Sequence, residues 1–323
     1  MRILLTGSTG WLGRYLAPML RAAGHQVTGI DVAPGPDTQV VGTVADRALV
    51  ERTVLSHGIE GVIHAAALHK PDIVRYPRQA FIDVNVTGTL NLLEEAVAAG
   101  VDRFVFTSTT SLMITQAIRD ETATEAVWLD EASGPLQPRN VYGITKRSAE
   151  EMCRLVHAET GMPVIVLRTA RFFPEDDDTH RELSGENMKA NEFLNRRLTV
   201  EDCAAAHVAA FDKASEVGFG LYIVSAPTPF ARGDVTVLKS DAPNVIARYF
   251  PDAAQLYADR GWRLPRSIGR VYDAERIERD LGFRCKTDFA AILTALRDGG
   301  PMPFEHDPNY TSPAQQNSFV ACD

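Results

Sequence analysis

The chain has 323 residues, a hydrophobic fraction of 45% and a formal net charge of −9. That is ample for a sizeable core in one large domain or two smaller ones. The acidic balance excludes any general electrostatic attraction to nucleic acid or to anionic membranes.

The N-terminus, MRILLTGSTGWLG, is a poor signal peptide, and no run of about 18 apolar residues follows anywhere. Neither nucleic acid nor membrane is therefore expected as a partner. The first strand is expected over Arg2–Thr6 and leads into TGSTGWLG, with Gly7, Gly10 and Gly13 at its end and an amphipathic stretch, Leu12–Ala23, beyond. A strand, three glycines and a helix in that order form a dinucleotide motif. The first glycine permits a tight turn, the second lets the backbone approach a pyrophosphate, and the third lets helix pack on strand. Trp11 and Leu12 fall in the same loop, and the helix that follows aims its first amides at the phosphates.

The second strand, Gln26–Asp31, ends on an acid 18 residues beyond Gly13, near the spacing of about 20 at which a carboxylate takes the adenosine ribose hydroxyls. No Arg or Lys follows within VAPGPDT, so the expected cofactor is NAD rather than NADP. Asp46, in GTVADR, is a candidate contact for the adenine amino group. A strand at Gly61–His64 runs into Ala65, Ala66 and Ala67, small residues that let backbone lie close to the cofactor. His69 and Lys70 follow, as a surface loop or as contacts to an anionic substrate.

After the amphipathic stretch Ala80–Ala99, the strand Arg103–Thr107 enters the hydroxyl cluster TSTTS at 107–111. Short apolar strands alternating with helices indicate a parallel sheet covered on both faces, and the C-terminal ends of such strands form its ligand edge. Some of these hydroxyls cap their own turn, and the pattern alone does not choose among them. Next, YGITK places Tyr142 and Lys146 four apart on one helix face. A free phenol titrates near ~10, and a neighbouring ammonium together with a positive nicotinamide is expected to lower it. Tyr142 then accepts the substrate hydroxyl proton while hydride leaves for the nicotinamide.

Further strands are expected at Val164–Arg168 and Gly220–Ser225. Arg171 offers a fork for phosphate or carboxylate, or a partner for the acidic run EDDD at 175–178, which reads as a solvated loop. The four cysteines, Cys153, Cys203, Cys285 and Cys322, lack CxxC or Cys/His ligand spacing. No disulfide framework or metal site is expected, and the natural compartment is the reducing cytoplasm. From Pro227 prolines recur and the alternation fades. The expected architecture is a doubly wound parallel α/β sheet, residues 1–169 with 198–226. A smaller substrate lobe comprises 170–197 with 227–300, and a polar arm, in part disordered, follows at 301–323.

Taken together, TGSTGWLG, the Asp31 strand end, VIHAAAL, NVTGTLNLLEEA, FVFTSTTS, YGITK, LRTARFFP and VEDCAAAHVAA resemble the extended short-chain dehydrogenase/reductase superfamily, in its NAD-dependent epimerase/dehydratase branch. The pieces span residues 3–210 in order, with a weaker match at LGFRCKTDFAAIL. The resemblance implies a Rossmann fold, bound NAD, and a Tyr142, Lys146 and Ser-or-Thr active site. Thr109 is the third hydroxyl, with Ser108 adjacent and Thr107 and Thr110 beside them. It places Asn85 near the cofactor, ordering the catalytic helix, and implies a homodimer built on the NVTGTLNLLEEA and YGITK helices.

The chain also departs from the pattern. Only Thr169–Leu198 separates LR from VED, and NRRLT replaces the usual Arg–Asp pair, so Arg196 and Arg197 stand in for the expected arginine or form a solvated pair. Met113 occupies the position of a common tyrosine. The implied activity is a sugar or sugar-nucleotide epimerase working through a keto intermediate. A net dehydrogenase of a small sugar or uronic acid is the alternative, and a non-catalytic dinucleotide binder belongs to another class. A dehydratase is disfavoured, because TSTTSLMI carries no acid pair.

Overall fold

A computed structural model describes residues 1–176 and 183–317. Asp177 and Asp178 of the acidic run, the final residues 318–323 and Cys322 lie outside it.

Seven parallel strands form the central sheet in the order β3-β2-β1-β4-β5-β7-β8. They are β1 (Arg2–Thr6), β2 (Gln26–Asp31), β3 (Val40–Val41), β4 (Gly61–His64), β5 (Arg103–Thr109), β7 (Val164–Thr169) and β8 (Phe219–Val224). A second, two-stranded parallel sheet pairs β6 (Val127–Leu129) with β9 (Arg270–Tyr272). The interior strands are buried on both faces, as their near-continuous apolar runs require.

The helices are α1 (Gly13–Ala22), α2 (Arg47–Ser56), α3 (Arg78–Phe81), α4 (Gly88–Ala98), α5 (Gln116–Arg119), α6 (Val141–Thr160), α7 (Gly185–Glu192) and α8 (Val200–Val217). Pieces of five to ten residues complete the set among the described residues: α9 (Val235–Ser240), α10 (Ala242–Tyr249), α11 (Ala253–Asp259), α12 (Glu275–Leu281), α13 (Phe289–Asp298) and α14 (Pro313–Asn317). One face of the sheet packs with α1 and α8 around Leu16, Leu20, Ile63, Ile165 and Phe211. The other packs with α2, α4 and α6 around Val50, Val62, Leu92, Phe104 and Cys153. Strand order reverses beside β1, whose neighbours are β2 and β4. A crevice therefore opens at the C-terminal ends of these strands, where ligands of such sheets bind.

A third core joins α7 to the later helices through Phe193, Leu238, Ile246, Tyr257, Phe289 and Leu293. The lobe does not hold all of residues 227–300. Ile277, Leu281 and Cys285 pack with the first core, because α12 lies against α8 and β8. The C-terminal arm folds back instead of trailing free. Asp307 N donates to Pro174 O (3.0 Å), the Tyr310 ring meets Trp11 edge-on at 4.9 Å, and Gln315 Nε2 donates to Asp72 Oδ1 (3.1 Å). Burial of an aromatic ring against Trp11 overrides the polar composition that made the arm look disordered.

Candidate active site

A cleft of about 840 Å³ runs along the C-terminal edge of the sheet. Its floor begins with the glycine turn. Gly7 adopts φ +73°, and a Cβ there would lie 2.9 Å from Ala66 N. A Cβ on Gly13 would lie 2.1 Å from Gly7 O, so the third glycine is required for the helix to start under the turn. At Gly10 the nearest atom to such a Cβ is Gly7 O at 3.2 Å, which leaves the cleft side of the turn bare for a phosphate group. Trp11 Nε1 anchors the loop by donating to Phe172 O (3.2 Å).

Asp31 stands at the end of β2, largely buried. Its Oδ2 accepts from Thr9 N (3.0 Å) and its Oδ1 from Ala33 N (3.1 Å), so the carboxylate braces the glycine loop while lining the cleft. Each oxygen keeps a further lone pair for a hydroxyl donor. The backbone turn, the bare glycine and the strand-end carboxylate together fit a dinucleotide.

The alanine run at 65–67 is held by Thr6. Its Oγ1 accepts from Ala65 N (3.1 Å) and Ala66 N (3.0 Å) and lies 2.7 Å from His64 Nδ1. His64 Nε2 meets Thr89 Oγ1 at 3.0 Å, and Thr89 donates in turn to Asn85 O. With Thr6 donating to Nδ1 and Nε2–H donating to Thr89, every group in the chain is satisfied by a neutral ring. Burial, seconded by the Lys146 charge, holds His64 well below its usual range.

The catalytic helix starts at Asn140, whose side chain accepts from Gly143 N (2.9 Å). The cap fixes where Tyr142 and Lys146 project. The Tyr142 hydroxyl lies within reach of the Thr109 side chain, and Thr109 Oγ1 accepts from Ser111 N (3.1 Å). Ser108 turns elsewhere: its Oγ donates to Glu150 Oε1 (2.5 Å). Glu150 in turn is gripped by Arg168, through Nε (3.0 Å) and Nη2 (2.7 Å). Of the two adjacent hydroxyls, the structure brings Thr109 to the tyrosine and commits Ser108 to a buried ion pair. Lys146 Nζ donates to Thr107 O (2.8 Å) and sits 4.6 Å from the Phe106 ring centroid. The Thr107 hydroxyl pairs with His207 Nε2 (2.8 Å).

Without the dinucleotide, the Lys146 ammonium alone does not lower the phenol. The Tyr142 phenol is pushed up to about 12, not down, because removal of water outweighs the Thr109 hydrogen bond, and Asp72 adds to the rise. Lys146 does not offset this, since its ammonium is turned to the Thr107 carbonyl. Burial instead lowers Lys146 itself to about 7, against the partial support of Cys153 and Glu150.

Gly7, Gly10, Trp11, Leu12, Gly13, Asp31, Ala65, Ala66, Ala67, Thr107, Ser108, Thr109, Tyr142 and Lys146 all line the cleft, as do His69, Lys70, Thr110, Arg171 and Arg196. Three residues do not. Asp46 is exposed and caps α2, its Oδ1 accepting from Leu49 N (3.0 Å). The adenine end is lined instead by Gly42, Thr43 and Val44.

Asn85 is buried in a π-helical turn, Ile82–Thr87. Its Oδ1 accepts from Leu68 N (2.9 Å), and its Nδ2 donates to Leu68 O (2.8 Å) and Thr145 Oγ1 (3.0 Å). It ties the catalytic helix to the cofactor-side loop without facing the cleft.

Arg197 is 1% exposed. Its Nη1 donates to Glu192 Oε2 (2.9 Å) and its Nη2 to Phe173 O (2.6 Å), so it is neither solvated nor a cleft residue. Arg196 reaches the same carboxylate at 3.1 Å from the cleft side. Burial pushes Glu192 up, but Arg196, Arg197 and Arg171 outweigh it and hold the carboxyl below the usual range.

Sequence reasoning missed Arg119, Arg139, Arg270 and Tyr272 at the far end of the cleft, and Asn309, Tyr310 and Gln315 over its mouth. They come from separate stretches of chain, and no local spacing marks them.

Residues 3–220 match the family model described as the NAD dependent epimerase/dehydratase family. The chain belongs to that family. It is 32% identical over 174 residues to a UDP-glucose 4-epimerase of Rhizobium meliloti, covering 51% of this chain and 50% of that protein. Over 208 residues it is 32% identical to an L-arabinose 1-dehydrogenase (NAD(P)(+)) of Haloferax volcanii, covering 62% and 79%. Its fold is similar to that of a short-chain dehydrogenase/reductase superfamily protein from Agrobacterium tumefaciens with bound NAD. The TM-score is 0.64 at 24% identity, over 93% of this chain and 98% of that one. The chain thus spans about half the length of the epimerase it matches. No helix among the described residues is long and apolar enough to cross a membrane.

Proposed function

We propose that this family member uses NAD to oxidise a secondary alcohol of a sugar or sugar nucleotide. The observation that carries the proposal is the Tyr142–Thr109 hydroxyl pair at the end of β5, in the same cleft as the glycine turn and Asp31. Gly7, Gly10, Asp31, Lys146 and the alanine run would hold the dinucleotide. When bound, it supplies the acceptor for the hydride and a positive charge beside the tyrosine. Tyr142 Oη takes the proton of the substrate hydroxyl, and Thr109 Oγ1 fixes that oxygen. Lys146 releases the Thr107 carbonyl to hold ribose hydroxyls, and from there it lowers the phenol that burial has raised.

The epimerase reading, in which the keto intermediate is reduced again on its other face, is supported by the segment 308–315 lying over the cofactor end of the cleft. Such a cover favours a dinucleotide retained between turnovers. Net dehydrogenation of a small sugar or sugar acid is the second reading, supported by the fuller coverage of the arabinose dehydrogenase. Residence in the cytoplasm belongs to the same proposal. So does a homodimer through α4 and α6, for which the exposed Ile144 and Leu155 on α6 provide apolar surface.

The test is Tyr142→Phe. Dinucleotide binding is expected to persist while turnover falls ~10²–10⁴-fold, measured by absorbance at 340 nm and by chromatography of sugar isomers. Turnover equal to wild type would remove Tyr142 from the chemistry. Steady NADH release without isomer interconversion would select the dehydrogenase.

A further inference from the structure

Three arginines from separate elements line the cleft and form part of its wall. Arg119 closes α5, Arg139 immediately precedes the Asn140 cap of α6, and Arg270 opens β9. Arg139 is tethered by its Nε, which donates to Ile114 O (3.1 Å). Burial and then the neighbouring charges of Arg119 and Arg270 lower its affinity for its proton, so the three cations lie close enough to repel one another. Arg270 Nε is buried with no hydrogen-bond partner. Asp120 is the one acid among the charges acting on Arg139, and its Oδ1 is engaged by Gln116 Nε2 (2.7 Å).

Arg75 and Arg196, which also line the cleft, are answered by carboxylates, Asp72 and Glu192 respectively. Among the described residues no ion pair involves Arg119, Arg139 or Arg270. A cluster of like charges with no counterion opposes its own assembly. A planar bidentate fork is also the group best matched to carboxylate and phosphate. A wall of this kind is explained by an oxyanion that arrives with the ligand.

We propose that Arg119, Arg139 and Arg270 form an oxyanion site, and that the sugar oxidised at Tyr142 carries a carboxylate or a phosphate that binds there. The inference rests on the reading of Tyr142 as the group that meets the oxidised carbon. It narrows the substrate class to acidic sugars or phosphorylated ones, and it makes these arginines the determinants of specificity. The site is separate from Arg171 and Arg196, which already share Glu192.

The test is calorimetric titration of the full chain saturated with NADH, using D-galacturonate, D-galactose 1-phosphate and neutral D-galactose. One of the two anions is expected to bind at least about tenfold tighter than galactose, and Arg139→Gln and Arg270→Gln are each expected to weaken it about 10- to 150-fold, the range for a charge-assisted hydrogen bond. Arg266→Gln, outside the cleft, serves as the control and is expected to leave it unchanged. NADH fluorescence titration of each variant confirms an intact fold. Tighter galacturonate assigns the site to a carboxylate, and tighter galactose 1-phosphate assigns it to a phosphate.

The proposal is overturned if galactose binds as well as both anions, if neither anion binds at millimolar concentration, or if both arginine variants keep wild-type anion affinity. Anion binding that survives alongside wild-type turnover of Tyr142→Phe would overturn the catalytic reading and leave the oxyanion site standing.

Discussion

Lys146 carries a buried charge whose cost to the free protein depends on pH. Its ammonium is 3% exposed, and loss of water lowers it from 10.5 to about 7. The unfolded chain therefore holds this proton more tightly than the folded one between about pH 7 and pH 10.5, so stability rises with pH across that window. Below pH 7 both states are protonated and the full cost of the buried charge remains. From pH 7 to 8.5 the relief amounts to about 2 kcal/mol, taking 1.36 kcal/mol per pKa unit.

At about 2.1 cal/mol/K per residue, a chain of this length gains about 3 °C in Tm from that change. Lys146→Met removes the titrating group and keeps the volume. The expected result is that the Tm difference, wild type minus variant, grows by about 3 °C between pH 7 and 8.5 in cofactor-free protein, measured by calorimetry at constant ionic strength. A difference that stays flat or shrinks would mean that Lys146 titrates near its ordinary value, and the argument from desolvation would be wrong.

Asp31→Ala should weaken NAD and reduce discrimination against NADP, since a carboxylate that repels a 2′-phosphate is lost; affinities for both dinucleotides by fluorescence titration check this, and an unchanged ratio would count against it. The same substitution also leaves Thr9 N and Ala33 N without their acceptors. Gly13→Ala places a Cβ on the Gly7 carbonyl and is expected to destroy dinucleotide binding and lower Tm, while a variant that binds normally would contradict the packing described for the turn. Glu150→Ala leaves Arg168 buried and unpaired. A loss of about 3–5 kcal/mol in denaturant unfolding is expected, and a loss below 1 kcal/mol would show that water reaches the arginine.

The dinucleotide half of the site was legible because its signals are local. Gly7, Gly10, Gly13 and Asp31 stand at fixed offsets around strands whose bounds the apolar runs already mark, and Tyr142 and Lys146 share a helix face by spacing alone. Asp46 was misread although its signal was present, since an Asp opening an amphipathic run is an N-cap before it is anything else. Arg196 and Arg197 look alike in sequence, but adjacent residues face different ways: one reaches the cleft and the other disappears beneath it. The choice between Ser108 and Thr109 depended on Glu150 and Arg168, each on a different element. The strands β3, β6 and β9 are two or three residues long, too short for any periodicity. The arginine wall draws on positions 119, 139 and 270, which only the fold brings together.

The meeting of Trp11 with Tyr310, and of Asp72 with Gln315, has a consequence for biogenesis. The ribosome delivers the glycine turn at 7–13 almost 300 residues before its cover at 308–315. A nascent chain can fold its seven-stranded sheet and still present an open, partly apolar gap beside Trp11 until positions 308–315 emerge. Occupancy by dinucleotide during synthesis would therefore be transient, and stable capture would await the emergence of positions 308–315.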